Sequence, residues 1–248
     1  MFNFLSYDFG YTWALRYAML VPFVLASGLA ALAVWRSWPR WMYAPIVVVA
    51  VWAVASVVVL NVMLNRPMTL PTERFLASGS GRVLDVGAGS GRAAIGVLLA
   101  RPKATATGVD IYSGYWGIDD NTPERFMRNA RIAGVAERAD TRVGDMRKLP
   151  FGNEAFDAVV SSYAIDHLRR SERSSAIAEV ARVLKPGGEF LLMIIHVDWR
   201  TWLVSPLLAH HPSQDPEPWR ALLHENGFTL EEEGLPFTTL YFLAKKQK

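Results

Sequence analysis

Trp41 to Leu64 reads WMYAPIVVVAVWAVASVVVLNVML, 24 positions without a charged residue. At about 1.5 Å of rise per residue, a helix of that length exceeds a hydrocarbon core of roughly 30 Å. Pro45 falls in its first turn, where a missing N–H costs little. Tyr17 to Trp35 is a second apolar run, shorter but near spanning length, and the two are joined by RSWPR. Arg36 and Arg40 in that turn are flanked by Trp35, Trp38 and Trp41, the pattern of an interfacial aromatic belt. The pair is predicted to form a transmembrane hairpin, with spans at about 17–35 and 41–64. A signal peptide is the alternative for the first run, but a basic leading region and a clear small-residue cleavage site are missing. A buried pair of core helices is the other alternative, and soluble cores rarely need so long an uncharged run. The stretch before the hairpin, MFNFLSYDFGYTW, is too polar to span and is expected at the membrane interface, with a disordered tail as the alternative. Asp8, Arg16 and Asn61 are expected to be interfacial rather than catalytic.

Orientation is nearly balanced by charge. Arg36 and Arg40 pull the turn toward the cytoplasm, and Arg66, Arg74 and Arg82 pull the other end the same way. The chain has no cysteine, which excludes a disulfide framework, a thiolate zinc site and a cysteine nucleophile. Its net charge of +3 is dispersed, without the Lys/Arg run of a nucleic-acid arm.

From about Met68 the pattern changes. Short β-branched runs alternate with amphipathic segments, which predicts a parallel sheet with crossover helices. The predicted strands are Arg82 to Val86, Thr105 to Asp110, Asp140 to Val143, Phe156 to Ser161 and Glu189 to Val197. The predicted helices are Arg92 to Arg101, Pro123 to Gly134 and Ser171 to Leu184, the last stopped by Lys185-Pro186-Gly187-Gly188. A helix from Pro216 to Asn226 and two edge strands, Thr229 to Gly234 and Thr238 to Ala244, complete the chain.

Five motifs sit at the ends of these elements. VLDVGAGSGR, Val83 to Arg92, turns a strand into a helix through Gly87, Gly89 and Gly91, which let a backbone approach a ligand closely at a helix N-terminus. A dinucleotide fingerprint requires a glycine where Arg92 stands. Gly108-Val109-Asp110 ends the second strand in a carboxylate that can accept two hydrogen bonds from ribose hydroxyls. Gly144-Asp145-Met146 is suited to bracketing an adenine. Phe156 to Tyr163 carries Ser161 at the carboxyl edge of a buried strand, and RVLKPGGEFLL spans Arg182 to Leu192.

In order and spacing these motifs resemble the class I S-adenosylmethionine-dependent methyltransferases, over roughly Thr72 to Lys248. The resemblance implies an α/β, Rossmann-like, seven-stranded and mostly parallel sheet with a C-terminal antiparallel strand. The all-α transmembrane hairpin precedes it, so the expected division is 1–67 and 68–248. It also implies S-adenosylmethionine as cofactor, with Gly87, Gly89 and Gly91 near the methionine part and Asp85 near its amino group. Asp110 is implied at the ribose, Asp145 at the adenine amine, and Met146 and Ile111 on the ring, with Ser161 completing the cofactor side. Leu149-Pro150-Phe151 and the KPGG element bring the chain nearest the small-molecule, quinone and lipid methyltransferases. Because S-adenosylmethionine is made in the cytosol, the resemblance also puts both ends of the hairpin on that side.

Asp166, His167 and His196 stand at carboxyl ends of predicted strands and are the candidate general bases, His167 foremost. The alternative for His167 is a capping or packing role. His210 and His211 form half a metal site with nothing nearby to complete it, and no metal is expected. The long stretch Ile111 to Thr122 either lines a binding site or is a surface loop that caps the next helix. His196 to Pro216 carries Trp199, Trp202, Leu203, Val204, Leu207 and Leu208, an apolar face expected over the acceptor, as a packing helix or as a flap on the bilayer. The expected function is methyl transfer to a small hydrophobic or lipid-like acceptor. A membrane protein acceptor and a module that binds the cofactor without turnover are the alternatives. A nicotinamide oxidoreductase is disfavoured by Arg92 and KPGG, and a nucleic-acid partner by the absence of a basic stripe.

Overall fold

The computed structural model describes residues 7–113, 118–206 and 215–248. A short helix α1 (Trp13–Tyr17), started by the Thr12 hydroxyl accepting from Leu15 N, leads into α2 (Leu20–Trp35) and α3 (Tyr43–Leu64). The two long helices pack as a hairpin through small side chains. Ala26, Ala33 and Ile46 are buried between them, with Ala30 and Ala50 packed alongside. Val24, Leu25, Val34, Val48 and Val51 point outward and are more than half exposed. Small residues inside and branched aliphatics outside invert the order of a soluble core. Arg16 Nε donates to Asn61 Oδ1 at 2.9 Å, tying α1 to α3 through a polar pair rather than through catalytic chemistry.

Seven strands follow: β1 (Ser80–Val86), β2 (Lys103–Asp110), β3 (Ala139–Val143), β4 (Phe156–Ser162), β5 (Leu184–Ile195), β6 (Phe228–Gly234) and β7 (Thr239–Lys246). The helices between and after them are α4 (Arg92–Ala100), α5 (Pro123–Ile132), α6 (Arg170–Val183), α7 (Trp199–Val204) and α8 (Pro216–Glu225). The sheet order is β3-β2-β1-β4-β5-β7-β6, parallel except for β7, which runs antiparallel to both β5 and β6. The predicted architecture is therefore the observed one. The fifth strand starts earlier than predicted, because Leu184 already pairs with Phe156 before Lys185 to Gly188 loop out and pairing resumes at Ala158↔Glu189.

Residues 1–6 of the segment before α1 lie outside the described residues, and residues 7–11 depart from expectation. Tyr7 and Phe9 do not lie at an interface; they are 6% and 2% exposed, stacked on one another at 5.5 Å, and part of the sheet domain's hydrophobic core. Asp8 N donates to Asn129 Oδ1 at 3.1 Å, and Asn129 Nδ2 returns a bond to Asp8 O at 2.8 Å. Tyr11 bridges to Ile118. Residues 7–11 are thus a strap on the sheet domain. Two aromatic rings gain more by burial than by half-exposure at a surface, and the polar backbone between them finds a reciprocal amide partner.

Candidate active site

The strand order reverses between β1 and β4, since β2 lies on one side of β1 and β4 on the other. The connections from the two halves diverge there and leave a crevice beyond the strands' carboxyl ends. The glycine loop fills its floor. Gly87 has φ +75°, and a Cβ on it would sit 2.2 Å from the Cβ of Ala164, so only glycine fits. Gly91 caps α4 at φ +87°, and a Cβ there would meet the Phe126 ring at 2.8 Å.

Asp110 organises the loop. Its Oδ2 accepts from Gly89 N at 2.9 Å, and its Oδ1 accepts from Tyr112 N at 2.7 Å and Asn121 Nδ2 at 3.2 Å. A carboxylate offers about four lone-pair positions, so one stays open for a ligand rather than the two expected for a ribose. Asp85 lies beneath the loop, 1% exposed, with Oδ2 accepting from Ala94 N at 2.8 Å inside α4. Its Oδ1 is buried without a hydrogen-bond partner. Burial pushes its carboxyl up to about 7; the Ala94 N–H opposes that, and the nearby Asp110 charge adds to it.

A cavity of about 620 Å³ opens over this floor, within the usual range for small-molecule sites. Of the sequence-predicted residues, Gly87, Gly89, Asp110, Ile111, Asp145, Met146 and His167 line it. Asp85, Gly91, Ser161, Asp166 and His196 do not. Asp85 and Gly91 are taken up by the start of α4. Ser161 is fully buried and donates to Val86 O at 2.9 Å, on the opposite face of β4 from the cavity, and Ser162 lines the cavity in its place. Asp166 is buried, its Oδ2 accepting from Ile195 N at 3.3 Å. His196 continues the β5–β7 pairing, its N–H donating to Thr238 O at 2.9 Å. Asp145 is turned toward its own loop. Arg147 binds both its oxygens and holds its carboxyl below the usual range.

The structure adds two serines that the sequence did not single out and takes up Asn121 from the stretch 111–122. Asn121 Oδ1, Ser162 Oγ and Ser90 Oγ are buried without a hydrogen-bond partner, and all three residues line the cavity. Three orphaned polar atoms around a glycine cradle are what a ligand with hydroxyl and amine donors would satisfy. Tyr163 also lines the cavity, at φ +51°, with its hydroxyl on Thr239 Oγ1; burial raises its pKa. The long stretch 111–122 does both things weighed for it: Thr122 caps α5, while Ile111, Ile118 and Asn121 line the cavity. Tyr115 and Trp116 lie outside the described residues.

The other wall comes from the N-terminal helices. Leu15 of α1 and Leu60, Met63 and Leu64 of α3 face the same cavity as the glycine loop. Arg92, the first residue of α4, donates from Nη2 to Met63 O at 2.8 Å and from Nε to Arg66 O at 2.9 Å. A guanidinium on the Met63 carbonyl, in the last turn of α3, suits the negative end of that helix. From the far side α7 leans on α3, with Trp52 Nε1 donating to Leu203 O at 2.6 Å. Thr201 and Val204 of α7 line the cavity, while Trp199, Trp202 and Leu203 are exposed beside the hairpin. Leu207, Leu208, His210 and His211 fall outside the described residues.

Comparison with known proteins adds family evidence. Residues 83–188 match the methyltransferase domain family. An uncharacterized methyltransferase of Synechocystis sp. is 31% identical over 178 residues, 71% of this chain and 76% of that protein. A ubiquinone/menaquinone biosynthesis C-methyltransferase of Desulfotalea psychrophila is 31% identical over 135 residues, which span 51% of this chain and only 50% of the relative. Among solved structures, a SAM-dependent methyltransferase of Methanosarcina mazei superposes with a TM-score of 0.51 at 23% identity, covering 68% of this chain and 93% of that one.

Proposed function

The chain belongs to the class I S-adenosylmethionine-dependent methyltransferases, and on that premise we propose that it methylates a small hydrophobic acceptor of the quinol type at a membrane spanned by α2 and α3. The observation that carries this reading is the single cavity running from the glycine loop to the last turn of α3. A polar acceptor would gain nothing from a wall of Leu15, Leu60 and Leu64. Chemistry on a relative named for quinone biosynthesis supports the acceptor class.

S-adenosylmethionine, when bound, supplies a methyl group on a good leaving group. The protein's part is to bind, align and exclude water. Gly87 and Gly89 would admit the methionine part, while Asp110 and Asn121 would take the ribose. Met146 and Ile111 would flank the adenine, and the hydroxyls of Ser90 and Ser162 would meet the cofactor's remaining donors. His167 is the one of the three base candidates that reaches the cavity, and it would take the proton that the acceptor loses.

For the membrane, the two candidate spans are Trp13–Trp35 and Arg40–Leu64, and only 17% and 22% of their most apolar windows are buried. A core helix pair would be mostly covered. A cleaved leader does not suit the first span either, because the strap ahead of it is packed into the sheet domain. Strap and sheet domain sit together, so both ends of the hairpin are assigned to the cytosolic side, with Arg36 and Arg40 opposite. Reporters fused after Met1 and Lys248 should both read cytosol, and one at Arg40 the far side; full release by carbonate washing would contradict the spans. Labelled S-adenosylmethionine added to the purified protein with extracted membrane lipids should give a labelled, organic-soluble product. Cofactor binding with no such product would favour a silent binding module.

A further inference from the structure

We propose that the last turn of α3 forms, with Leu15, the subsite for the acceptor's apolar tail, so that the hairpin is part of the active site. This rests on the reading of the acceptor as hydrophobic. Leu60 is 3% exposed, whereas its near neighbours on the same helix, Val58 and Val62, are 55% and 42% exposed. It is turned inward, toward a cavity whose opposite end is the glycine loop. Leu64 lies one helical turn further along the same face, and Leu15 closes on it from α1.

The wall is also fixed in register. Arg92 follows the last glycine of the loop and binds the carbonyls of Met63 and Arg66 with two N–H groups. The return bond runs from Met68 N to Arg92 O at 3.1 Å. One residue thus locks the end of the hairpin to the floor of the cofactor site on both its side chain and its backbone. An anchor needs no such lock, because a flexible linker would hold the domain at the membrane equally well. A subsite does, since about 1 Å of misplacement at a reacting centre costs roughly a hundredfold in rate. Val204 of α7 and Phe237, just before β7, also line the cavity.

The test uses full-length protein in lipid nanodiscs. The probe is a hydroquinone with a ten-carbon tail ending in an alkyl diazirine, and labelled sites are read by mass spectrometry. Labelling at Leu60 and Leu64 should fall at least tenfold with excess non-photoreactive tailed hydroquinone. Labelling at Val58 and Val62 should not fall, because it reports the bulk lipid phase. Leu64→Trp, which fills the subsite, should abolish the saturable labelling at Leu60 while S-adenosylhomocysteine affinity stays within about threefold, showing that the protein is folded. Non-saturable or absent labelling at Leu60 and Leu64 overturns the subsite. Methyl transfer to the same hydroquinone is measured in parallel. Saturable labelling without product would keep the subsite and sink the quinol acceptor, whereas product without saturable labelling would do the reverse.

Discussion

Asp85 permits a sharp test of how the cofactor floor is built. Its carboxyl is 1% exposed, makes one hydrogen bond to Ala94 N and has its other oxygen unpartnered. Burial lifts it from an ordinary 3.8 to about 7. A raised acid contributes stability that is fully present below the unfolded value and is lost as pH rises through the folded one. The window is therefore about pH 4 to 7, and the unliganded protein should become less stable across it. Between pH 5 and pH 8 the loss assigned to this one group is on the order of 2–3 kcal/mol. Asp85→Asn keeps an acceptor for Ala94 N and removes the ionisation. The amide's extra N–H groups add a cost of about 1–3 kcal/mol, but that cost does not change with pH. The quantity to follow is the melting temperature of the variant minus that of the wild type, read by tryptophan fluorescence in detergent. It should rise by roughly 5–10 °C from pH 5 to pH 8. The subtraction cancels the titrating groups that do not interact with Asp85. A difference that stays flat across that range, whatever its offset, would refute the account of a buried carboxylate held against its own desolvation.

Three further outcomes are expected. Gly87→Ala puts a Cβ 2.2 Å from that of Ala164 at φ +75°; it should cost roughly 2–4 kcal/mol of stability in chemical denaturation and weaken S-adenosylhomocysteine binding in calorimetry. Ser161→Ala should lower stability by about 1 kcal/mol and spare cofactor affinity, while Ser162→Ala should do the opposite, because only Ser162 lines the cavity. His167→Ala should reduce kcat by roughly 10²- to 10⁴-fold while S-adenosylhomocysteine affinity changes less than threefold, and an unchanged kcat would remove the base role.

Much of this was legible in the sequence, for physical reasons that can be named. The hairpin was readable because two uncharged runs admit few other structures. The strands and helices were readable because Pro123, Gly187 and Gly188 punctuate a clear alternation of apolar patterns, and their ends fall within a few residues of those observed. The choice between Ser161 and Ser162 was not legible because β4 is buried on both faces from Ala158 to Ser161, so no polar alternation fixed which serine lines the cavity. The strap was missed because its partner is distant, Asp8 and Asn129 being 121 positions apart. Local pattern carries no record of such a pairing, nor of Arg92 reaching back to Met63. Of the three base candidates, Asp166 and His196 stand near the right sheet edge, but that does not say which side chains reach the cavity.

The strap also dictates an order of events on the ribosome. Residues 7–11 are synthesised more than a hundred positions before Asn129, yet their place in the core does not exist until Asn129 has emerged. Through that interval two aromatic side chains wait unburied while α2 and α3 are completed. Closure of the strap is then a late step, and it fastens the beginning of the hairpin to the body that already holds its end through Arg92 and Met68. Topologically α1 to α3 are a loop excursion from the sheet domain rather than a prefix to it. An excision that spares the fold should therefore splice the strap directly to Met68; cutting everything before Met68 would empty the seats of Tyr7 and Phe9.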